Sequence, residues 1–280
     1  MREMKNIKLV ATDLDGTFLK NDRTVSQNNL NALERLGERN ITRVVATGRN
    51  MKKVNEVLGH HIPFDFIVYS SGAGVYNWRE KKYIFNQNIS KKSSQILLEY
   101  FIYRKLNFHA FFPAPENHKH WYFRGEKKCE EFERYFEYNQ AFADELDPKK
   151  LPDTELCQFL LIIPENGDNF EELKTEIEAL CNDIRVIRAT SPITGSYIWI
   201  EVFHRSVSKG NGVKQICRLL NIDEKYTVGI GNDYNDLDLL AFTQFSFLTE
   251  NAPLEIKDYY PNTTSNDNDA FALVIQPILT

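Results

Sequence analysis

Short apolar segments of this chain end directly in loops that contain glycine or aspartate. The repeated order of apolar segment and polar loop limits the folds that the chain can adopt. Residues 7–12 are apolar and β-branched and run into Asp13-Leu14-Asp15-Gly16-Thr17, as a buried strand entering a turn does. Residues 43–47 and Phe66–Tyr69 repeat the pattern. Between the first two runs, Ser26 is a predicted N-cap for a helix with leucines along one face. Alternating strands and helices predict an α/β fold with a parallel sheet.

The middle of the sequence differs from the first part in its residue composition. From residue 86 to residue 188, aromatic side chains are concentrated before a predicted strand and an amphipathic helix, which indicates an inserted α+β domain. After it we expect the α/β pattern to resume with a strand at 197–203, a helix that carries Val213 and Ile216, and further short strands. The predicted organisation is a Rossmann-like parallel-sheet core formed by residues 1–85 and 189–280, interrupted by the insert at 86–188.

Composition excludes several classes of protein. The 280 residues include 34 basic and 39 acidic side chains, and the net charge of −5 lacks the signature of a dedicated nucleic-acid binder. No apolar run is long enough to cross a membrane, and no hydrophobic leader precedes Asp13. The cysteines are widely spaced and are expected to be reduced, partly buried thiols. We therefore expect a cytoplasmic protein with no nucleic-acid or membrane partner, and the sequence does not define its oligomeric state.

Two carboxylates stand where the first predicted strand ends. Asp13 and Asp15 are two residues apart and are followed by Gly16, so both can point into a crevice beyond the carboxyl edge of the sheet. A hard cation would relieve their mutual repulsion, and Mg²⁺ commonly combines carboxylates with water and substrate phosphate. By itself the motif fits an Asx turn equally well.

Three later segments favour the functional interpretation. Thr47-Gly48-Arg49 follows the second strand, Ser208-Lys209-Gly210 opens a helix, and residues 231–236, Gly-Asn-Asp-Tyr-Asn-Asp, follow a late strand. Such positions converge on one edge of a parallel sheet. Together with residues 13–17, these segments resemble, in order, the four motifs of the haloacid dehalogenase (HAD) superfamily. The chain looks like its Cof-type phosphatase branch, in which a large C2-type cap lies between the second and third motifs.

The resemblance implies a role for each matching residue. It makes Asp13 the nucleophile that forms a phospho-aspartate and Asp15 the acid that protonates the leaving alcohol and then the base that activates water. It also makes Mg²⁺ the cofactor and a small phosphorylated metabolite the substrate. Arg49 is either a salt-bridge partner or a surface residue. The implied phosphate-binding or charge-balancing residues are Thr47, Gly48, Lys209 and Asn235.

The fourth motif departs from the family pattern, because Asn232 stands where an aspartate is usual. The resemblance implies a metal site formed by Asp13, Asp15 and Asn232, with Asp233 or Asp236 as alternative or supporting groups. An amide oxygen can bind Mg²⁺ but brings no negative charge, so the affinity for the cation should be lower unless one of those aspartates contributes.

The implied activity is hydrolysis of small phosphate monoesters, with sugar or polyol phosphates as the expected substrates. Phosphoryl transfer within a sugar, as in phosphomannomutases, and non-catalytic sensing of a phosphate ligand are the alternatives. In the insert, His109, Trp121 and Tyr122 are candidates for contacting the leaving group, although aromatic residues of this kind more often build a domain core. His118 and His120 are not expected to bind zinc, because they lack further ligands.

Overall fold

The computed structural model describes residues 4–164, 170–191, 193–194 and 196–280, and the chain divides into two compact units. The first unit comprises the chain up to Phe85 and from Ser208 onward, and the second comprises Asn86–Val207. The second unit therefore continues beyond residue 188, where the predicted insert ends.

The described residues form strands and helices that alternate through much of the chain. The strands are β1 (Leu9–Thr12), β2 (Thr42–Ala46), β3 (Phe66–Tyr69), β4 (Gly74–Asn77), β5 (Lys82–Asn86), β6 (Phe108–Phe111), β7 (His120–Phe123), β8 (Ala143–Glu145), β9 (Phe159–Pro164), β10 (Ile184–Thr190), β11 (Tyr197–His204), β12 (Thr227–Gly231) and β13 (Phe245–Leu248). The α-helices are α1 (Gln27–Glu38), α2 (Met51–Val57), α3 (Lys91–Tyr103), α4 (Glu130–Asn139), α5 (Phe170–Leu180), α6 (Lys209–Leu220), α7 (Leu237–Phe242) and α8 (Ala270–Leu279).

The first unit is built on a seven-stranded sheet with the order β13-β12-β1-β2-β3-β4-β5. Its first five strands are parallel, and β4 turns back antiparallel to β3. All four residues of β1 are buried, as expected for a central strand covered on both faces. The predicted parallel α/β core is confirmed, and its strands β1, β2, β3 and β12 end at one edge.

Helix α1 shows how the sequence fixes one layer of this unit. The Ser26 side chain accepts a hydrogen bond from the backbone N–H of Asn29 at 3.1 Å, which confirms the predicted N-cap. Leu33 and Leu36, on the predicted leucine face, are buried. Loss of such a cap typically costs about 1 kcal/mol of stability.

The second unit contains a six-stranded sheet with the order β10-β11-β9-β6-β7-β8. Its core contains Phe101, Phe108 and Phe159, so many of the concentrated aromatic residues pack against one another. Strand β11 lies between β10 and β9 and is antiparallel to both. Its inward residues, including Ile200, belong to this core. The prediction that residues 197–203 return to the first sheet is therefore wrong.

The four cysteines, at positions 129, 157, 181 and 217, are buried free thiols, as predicted. Over the described residues, every helix is too short or too polar to span a bilayer.

Candidate active site

The ends of the parallel strands bring the motifs of the first unit together. Asp13 follows β1, Thr47 follows β2 and Asn232 follows β12, while Lys209 is the first residue of α6. Helix α6 begins at Lys209 because the Ser208 side chain accepts a hydrogen bond from the N–H of Asn211 at 3.1 Å. The predicted convergence at the carboxyl edge of the sheet is thus present in the fold.

Lys209 is the centre of a buried polar network. Its Nζ donates to Oδ1 of Asp13 at 2.7 Å, to Oδ1 of Asp236 at 2.6 Å and to Oδ1 of Asn235 at 3.0 Å. Lys209, Asp13 and Asp236 are all nearly inaccessible to solvent. Three acceptors use the full donor capacity of the ammonium group, which is therefore fixed in position beside Asp13.

The electrostatics of this network are dominated by burial. Burial raises the pKa of Asp13 to about 8, and the Asp236 and Asp15 carboxylates act in the same direction, whereas Lys209 lowers it. Burial also acts to lower the pKa of Lys209, but Asp13 and Asp236 outweigh it and hold that pKa well above its ordinary value. Because an ionised Asp13 depends on its positive neighbours, a divalent cation at this carboxylate would lower its pKa further.

Asp15 points towards a different partner. Arg49 holds it in a two-pronged ion pair, with Nε at 2.6 Å from Oδ2 and Nη2 at 2.7 Å from Oδ1. The Asp15 side chain is 45% exposed and that of Arg49 is 20% exposed. Of the two roles left open for Arg49, the structure shows the salt bridge. Residue type alone could not decide this, because the pairing joins the ends of two separate strands.

The loop after β2 is fixed by the turn after β3. The N–H of Ser71 donates to the carbonyl of Thr47 at 2.9 Å, and the N–H of Ser70 donates to the carbonyl of Arg49 at 2.9 Å. A Cβ on Gly48 would lie 3.6 Å from Oγ of Ser71 and 3.9 Å from Nδ2 of Asn235. These contacts bring Gly48 close to Asn235. The two serines were not predicted as site residues.

Both serines have left-handed backbone conformations, with φ of 48° for Ser70 and 54° for Ser71. The next residue, Gly72, has φ of 103°, and a Cβ there would lie 2.1 Å from the carbonyl oxygen of Ser208. Glycine therefore allows this turn to approach the start of α6. Strained backbone of this kind is often retained at functional sites.

Oxygen atoms converge on the end of the Asn232 side chain. Thr17 Oγ1 donates to Asn232 Oδ1 at 2.9 Å. The main-chain oxygen of Asp15 and Oδ2 of Asp13 face the same end of the amide, at 2.9 and 3.2 Å. Carboxylate, carbonyl and amide oxygens are the ligands that Mg²⁺ takes, so the donor set fits this cation. Asp15 contributes its main-chain oxygen to this cluster, while its carboxylate binds Arg49.

Asp233 and Asp236 organise the loop that carries Asn232. The Asp233 side chain accepts the backbone N–H of Asp236 in a capping box. Oδ2 of Asp236 accepts the N–H groups of Asn232 and Asp233 at 2.9 and 3.0 Å, and its Oδ1 binds Lys209. Across the described part of the chain, no three His, Cys, Asp or Glu side chains gather into a metal cluster.

The aromatic candidates of the second unit pack within that unit. His109 is fully buried, with its ring stacked on Phe132 at 4.4 Å. Tyr122 is buried against Phe136 at 4.6 Å. Trp121 stacks on Phe112 at 4.0 Å. His109 and Tyr122 are therefore core residues of this unit, and the structure gives no support to their selection as leaving-group contacts.

Comparison with known proteins agrees with this arrangement of motifs. The family model for haloacid dehalogenase-like hydrolases matches residues 10–275. The HMP-PP phosphatase of Klebsiella pneumoniae (strain 342) is 24% identical over 91% of this chain and 88% of its own length. The 5-amino-6-(5-phospho-D-ribitylamino)uracil phosphatase of Escherichia coli (strain K12) is also 24% identical, over 88% of this chain and 86% of its own.

A solved structure shows the same fold over nearly the whole length. The HAD subclass IIB sugar phosphatase BT4131 superposes with a TM-score of 0.76 at 16% identity, covering 97% of this chain and 98% of that one. The chain belongs to the haloacid dehalogenase-like hydrolase family, in its Cof-type branch, and is a phosphatase.

Proposed function

We propose that this phosphatase hydrolyses small phosphate monoesters in a Mg²⁺-dependent reaction that passes through a phospho-aspartate on Asp13. The observation that carries the proposal is the environment of the Asp13 carboxylate. One of its oxygens accepts a hydrogen bond from Lys209, and the other faces the oxygen cluster at Asn232. With Lys209 beside it and a cation bound at this cluster, the Asp13 carboxylate would be ionised in spite of its burial, as a nucleophile must be.

The proposed reaction has two steps. The Asp13 carboxylate attacks phosphorus, the bond from phosphorus to the leaving oxygen breaks, and Asp15 supplies the proton that the alcohol takes. Asp15 then accepts a proton from water as the water attacks the phospho-aspartate, which releases phosphate and regenerates Asp13. The Asp15 carboxylate that pairs with Arg49 can act as a base, because it can accept a proton. Donation of a proton requires its carboxyl group to leave Arg49, because an acid must carry the proton that it gives.

The remaining site residues bind or position the phosphoryl group. Lys209 balances negative charge beside Asp13, the hydroxyl of Thr47 and the N–H of Gly48 hold phosphoryl oxygens, and Asn235 orients the group. Asp236 acts through Lys209 and through the loop N–H groups that it accepts. It is therefore a positioning residue.

Magnesium is assigned to the oxygen cluster of Asp13 Oδ2, the main-chain oxygen of Asp15 and Asn232 Oδ1. When bound there, Mg²⁺ neutralises charge on the phosphoryl group and orients it towards the nucleophile. This ligand set contains one carboxylate. Neither Asp233 nor Asp236 is needed as a direct ligand, because each already has the loop contacts described above.

The substrate class proposed is sugar or polyol phosphates. It is supported by the relative that acts on a ribityl phosphate and by the structural neighbour that is a sugar phosphatase. We assign the second unit, Asn86–Val207, the role of substrate-specificity cap, because the four motifs lie outside it. A small cytoplasmic metabolite is the proposed partner, in keeping with the four free thiols.

A phosphate-release screen tests the proposal. Purified protein is incubated with sugar and polyol phosphates in Mg²⁺ or in EDTA, with Asp13→Asn as the matched control. We expect release that requires both Mg²⁺ and Asp13, and separate free sugar and phosphate as products. If glucose or mannose phosphates were supplied and the product were an isomerised sugar phosphate, the protein would be a mutase instead. Ligand binding without turnover across the whole panel would indicate a sensor.

A further inference from the structure

The Asn232 amide can face the oxygen cluster in either of two orientations. In the first orientation, Oδ1 of Asn232 points towards the cluster and accepts a hydrogen bond from the Thr17 hydroxyl. The same Oδ1 also faces two further oxygens, the main-chain oxygen of Asp15 and Oδ2 of Asp13. After a half-turn, Nδ2 lies within donor distance of all three, at 2.9 Å from the Asp15 oxygen, 2.9 Å from Thr17 Oγ1 and 3.2 Å from Asp13 Oδ2. An oxygen facing oxygens is unfavourable without a cation between them, whereas the two N–H bonds of the amide can be donated to the oxygens of Asp15 and Asp13.

The charges around the amide favour a neutral donor at this position. Asp13 and Asp236 share a single buried ammonium group, that of Lys209, so one of these two carboxylates lacks a counter-charge of its own when both are ionised. Asp15 is separately neutralised by Arg49. A carboxylate at the half-buried position 232 would add a further negative charge beside the buried Asp13, which is costly without a cation. The amide adds no charge and supplies hydrogen-bond donors.

The backbone leaves room for the amide at this position. Gly16 adopts a φ of 76°, and a Cβ there would lie 2.8 Å from Nδ2 of Asn232. A side chain at residue 16 would therefore crowd the amide and the cluster that it faces. The glycine of the first motif thus makes space for a group on the fourth motif, 216 positions further along the printed sequence.

We propose that the Asn232 amide is an internal substitute for the divalent cation. Its NH₂ group binds Asp13 Oδ2 and the Asp15 main-chain oxygen when no cation is bound, and it rotates by half a turn to present Oδ1 when a cation binds. The inference rests on the proposed function only in assigning the cation to this oxygen cluster. Its consequence is that Mg²⁺ competes with hydrogen bonds of the protein, so the site stays stable without Mg²⁺ and binds it weakly.

Thermal unfolding and calorimetry test the first half of the proposal. Wild type and Asn232→Asp are compared in EDTA and in Mg²⁺, with Asn31→Asp as the control for added charge. Asn31 is exposed on α1, and its Oδ1 accepts Gln27 Nε2, so an aspartate keeps that contact. In EDTA we expect the melting temperature of Asn232→Asp to fall by several degrees, roughly 3 °C or more. We also expect its Mg²⁺ affinity to be about tenfold tighter than wild type.

The control should match wild type in both measurements. An Asn232→Asp protein that melts at or above the wild-type temperature in EDTA would overturn the inference, because the amide would then contribute no special stability.

Nuclear magnetic resonance tests the rotation itself. The side-chain NH₂ signals of Asn232 are identified as the pair that Asn232→Asp lacks. In EDTA we expect slow exchange of these protons with water, and on Mg²⁺ titration we expect the signals to shift and exchange to accelerate. Saturable Mg²⁺ binding that leaves the Asn232 signals unchanged would overturn the inferred rotation but would leave the proposed function standing. If neither wild type nor Asn232→Asp binds Mg²⁺, the proposed Mg²⁺ dependence of the reaction is wrong, and the inferred rotation of the amide is wrong as well.

Discussion

Nζ of Lys209 lies 2.7 Å from Oδ1 of Asp13, although 196 positions separate the two residues in the sequence. Both side chains are buried, and Asp236 shares the same ammonium group at 2.6 Å. The pair joins the end of β1 to the start of α6 and thereby connects the first segment of the first unit to its last. The proposed catalytic arrangement and a structural connection therefore depend on the same three side chains.

Lys209→Met should destabilise the protein in addition to removing activity. It leaves Asp13 and Asp236 buried without a counter-charge, a change that typically costs about 3–5 kcal/mol. Because burial raises the pKa of Asp13 to about 8 in the folded state, this loss should be largest above pH 8 and should shrink as pH falls and Asp13 takes up a proton. Chemical denaturation at pH 5 and pH 9 measures both effects, because these pH values lie about three units below and about one unit above the raised pKa of Asp13.

The double variant Lys209→Met with Asp236→Asn provides the control for that prediction. It removes one of the two uncompensated charges and should recover part of the lost stability at high pH. Equal stability of wild type and Lys209→Met at both pH values would mean that the buried network contributes little to the fold.

Asp15→Asn should separate the two chemical steps. Without the acid, substrates with poor leaving groups should react at least about a hundredfold more slowly. An activated aryl phosphate needs no proton on its leaving group and should still phosphorylate Asp13, but water attack should be slow. Stopped-flow measurement of the released phenol should show a burst of about one equivalent per enzyme. Steady turnover at the wild-type rate with sugar phosphates would exclude Asp15 as the acid and base.

Asp233→Asn should leave Mg²⁺ binding within about twofold of wild type, because the Asp233 side chain caps the loop and an amide oxygen can still accept that N–H. Calorimetric titration beside Asn232→Asp measures this directly. A severe loss of affinity in Asp233→Asn, with Asn232→Asp unchanged, would move the metal ligand from position 232 to position 233.

The second unit should lose stability in mild acid. Burial lowers the pKa of His109 well below its ordinary value and that of His120 to about 4. Both histidines are neutral in the folded state, so their contribution is complete above pH 6.5 and is lost as pH falls towards 4. His120 alone should account for about 3 kcal/mol at pH 4. Unfolding free energies measured between pH 7 and pH 4 should show this slope, with pH 4 set by the lowered pKa.

A double variant, His109→Phe with His120→Phe, keeps the ring packing and removes both titrating groups. Its unfolding free energy should vary less with pH over the same interval. An unchanged slope would assign the acid sensitivity to other groups.

The sequence predicted the parallel core and the convergence of its motifs because these depend on local signals: short apolar strands, glycine turns, the N-cap Ser26 and the helix start at Ser208-Lys209-Gly210. It did not predict the pairing of β11, since an alternating apolar strand can join either sheet. That choice is made by long-range partners such as Ile200 and Leu161. The second unit consequently extends to Val207.

The sequence also did not reveal, or did not decide, the roles of site residues whose type alone does not indicate a function. Ser71 contributes a backbone N–H from a left-handed turn, and Thr17 contributes a hydroxyl to the oxygen cluster. Arg49 is defined by its ion pair with Asp15. Each of these contacts joins segments that are distant in sequence, so residue type at one position cannot reveal it.

The most direct test of the account is detection of the covalent intermediate. Asp15→Asn protein is mixed with an activated aryl phosphate and Mg²⁺, quenched in acid within the burst phase, digested and mapped by mass spectrometry. We predict the mass of one added phosphoryl group on the peptide that contains Asp13, and its absence when Asp13→Asn is added to the variant. A phosphoryl group on another residue, or burst release of phenol with Asp13 unmodified, would contradict it.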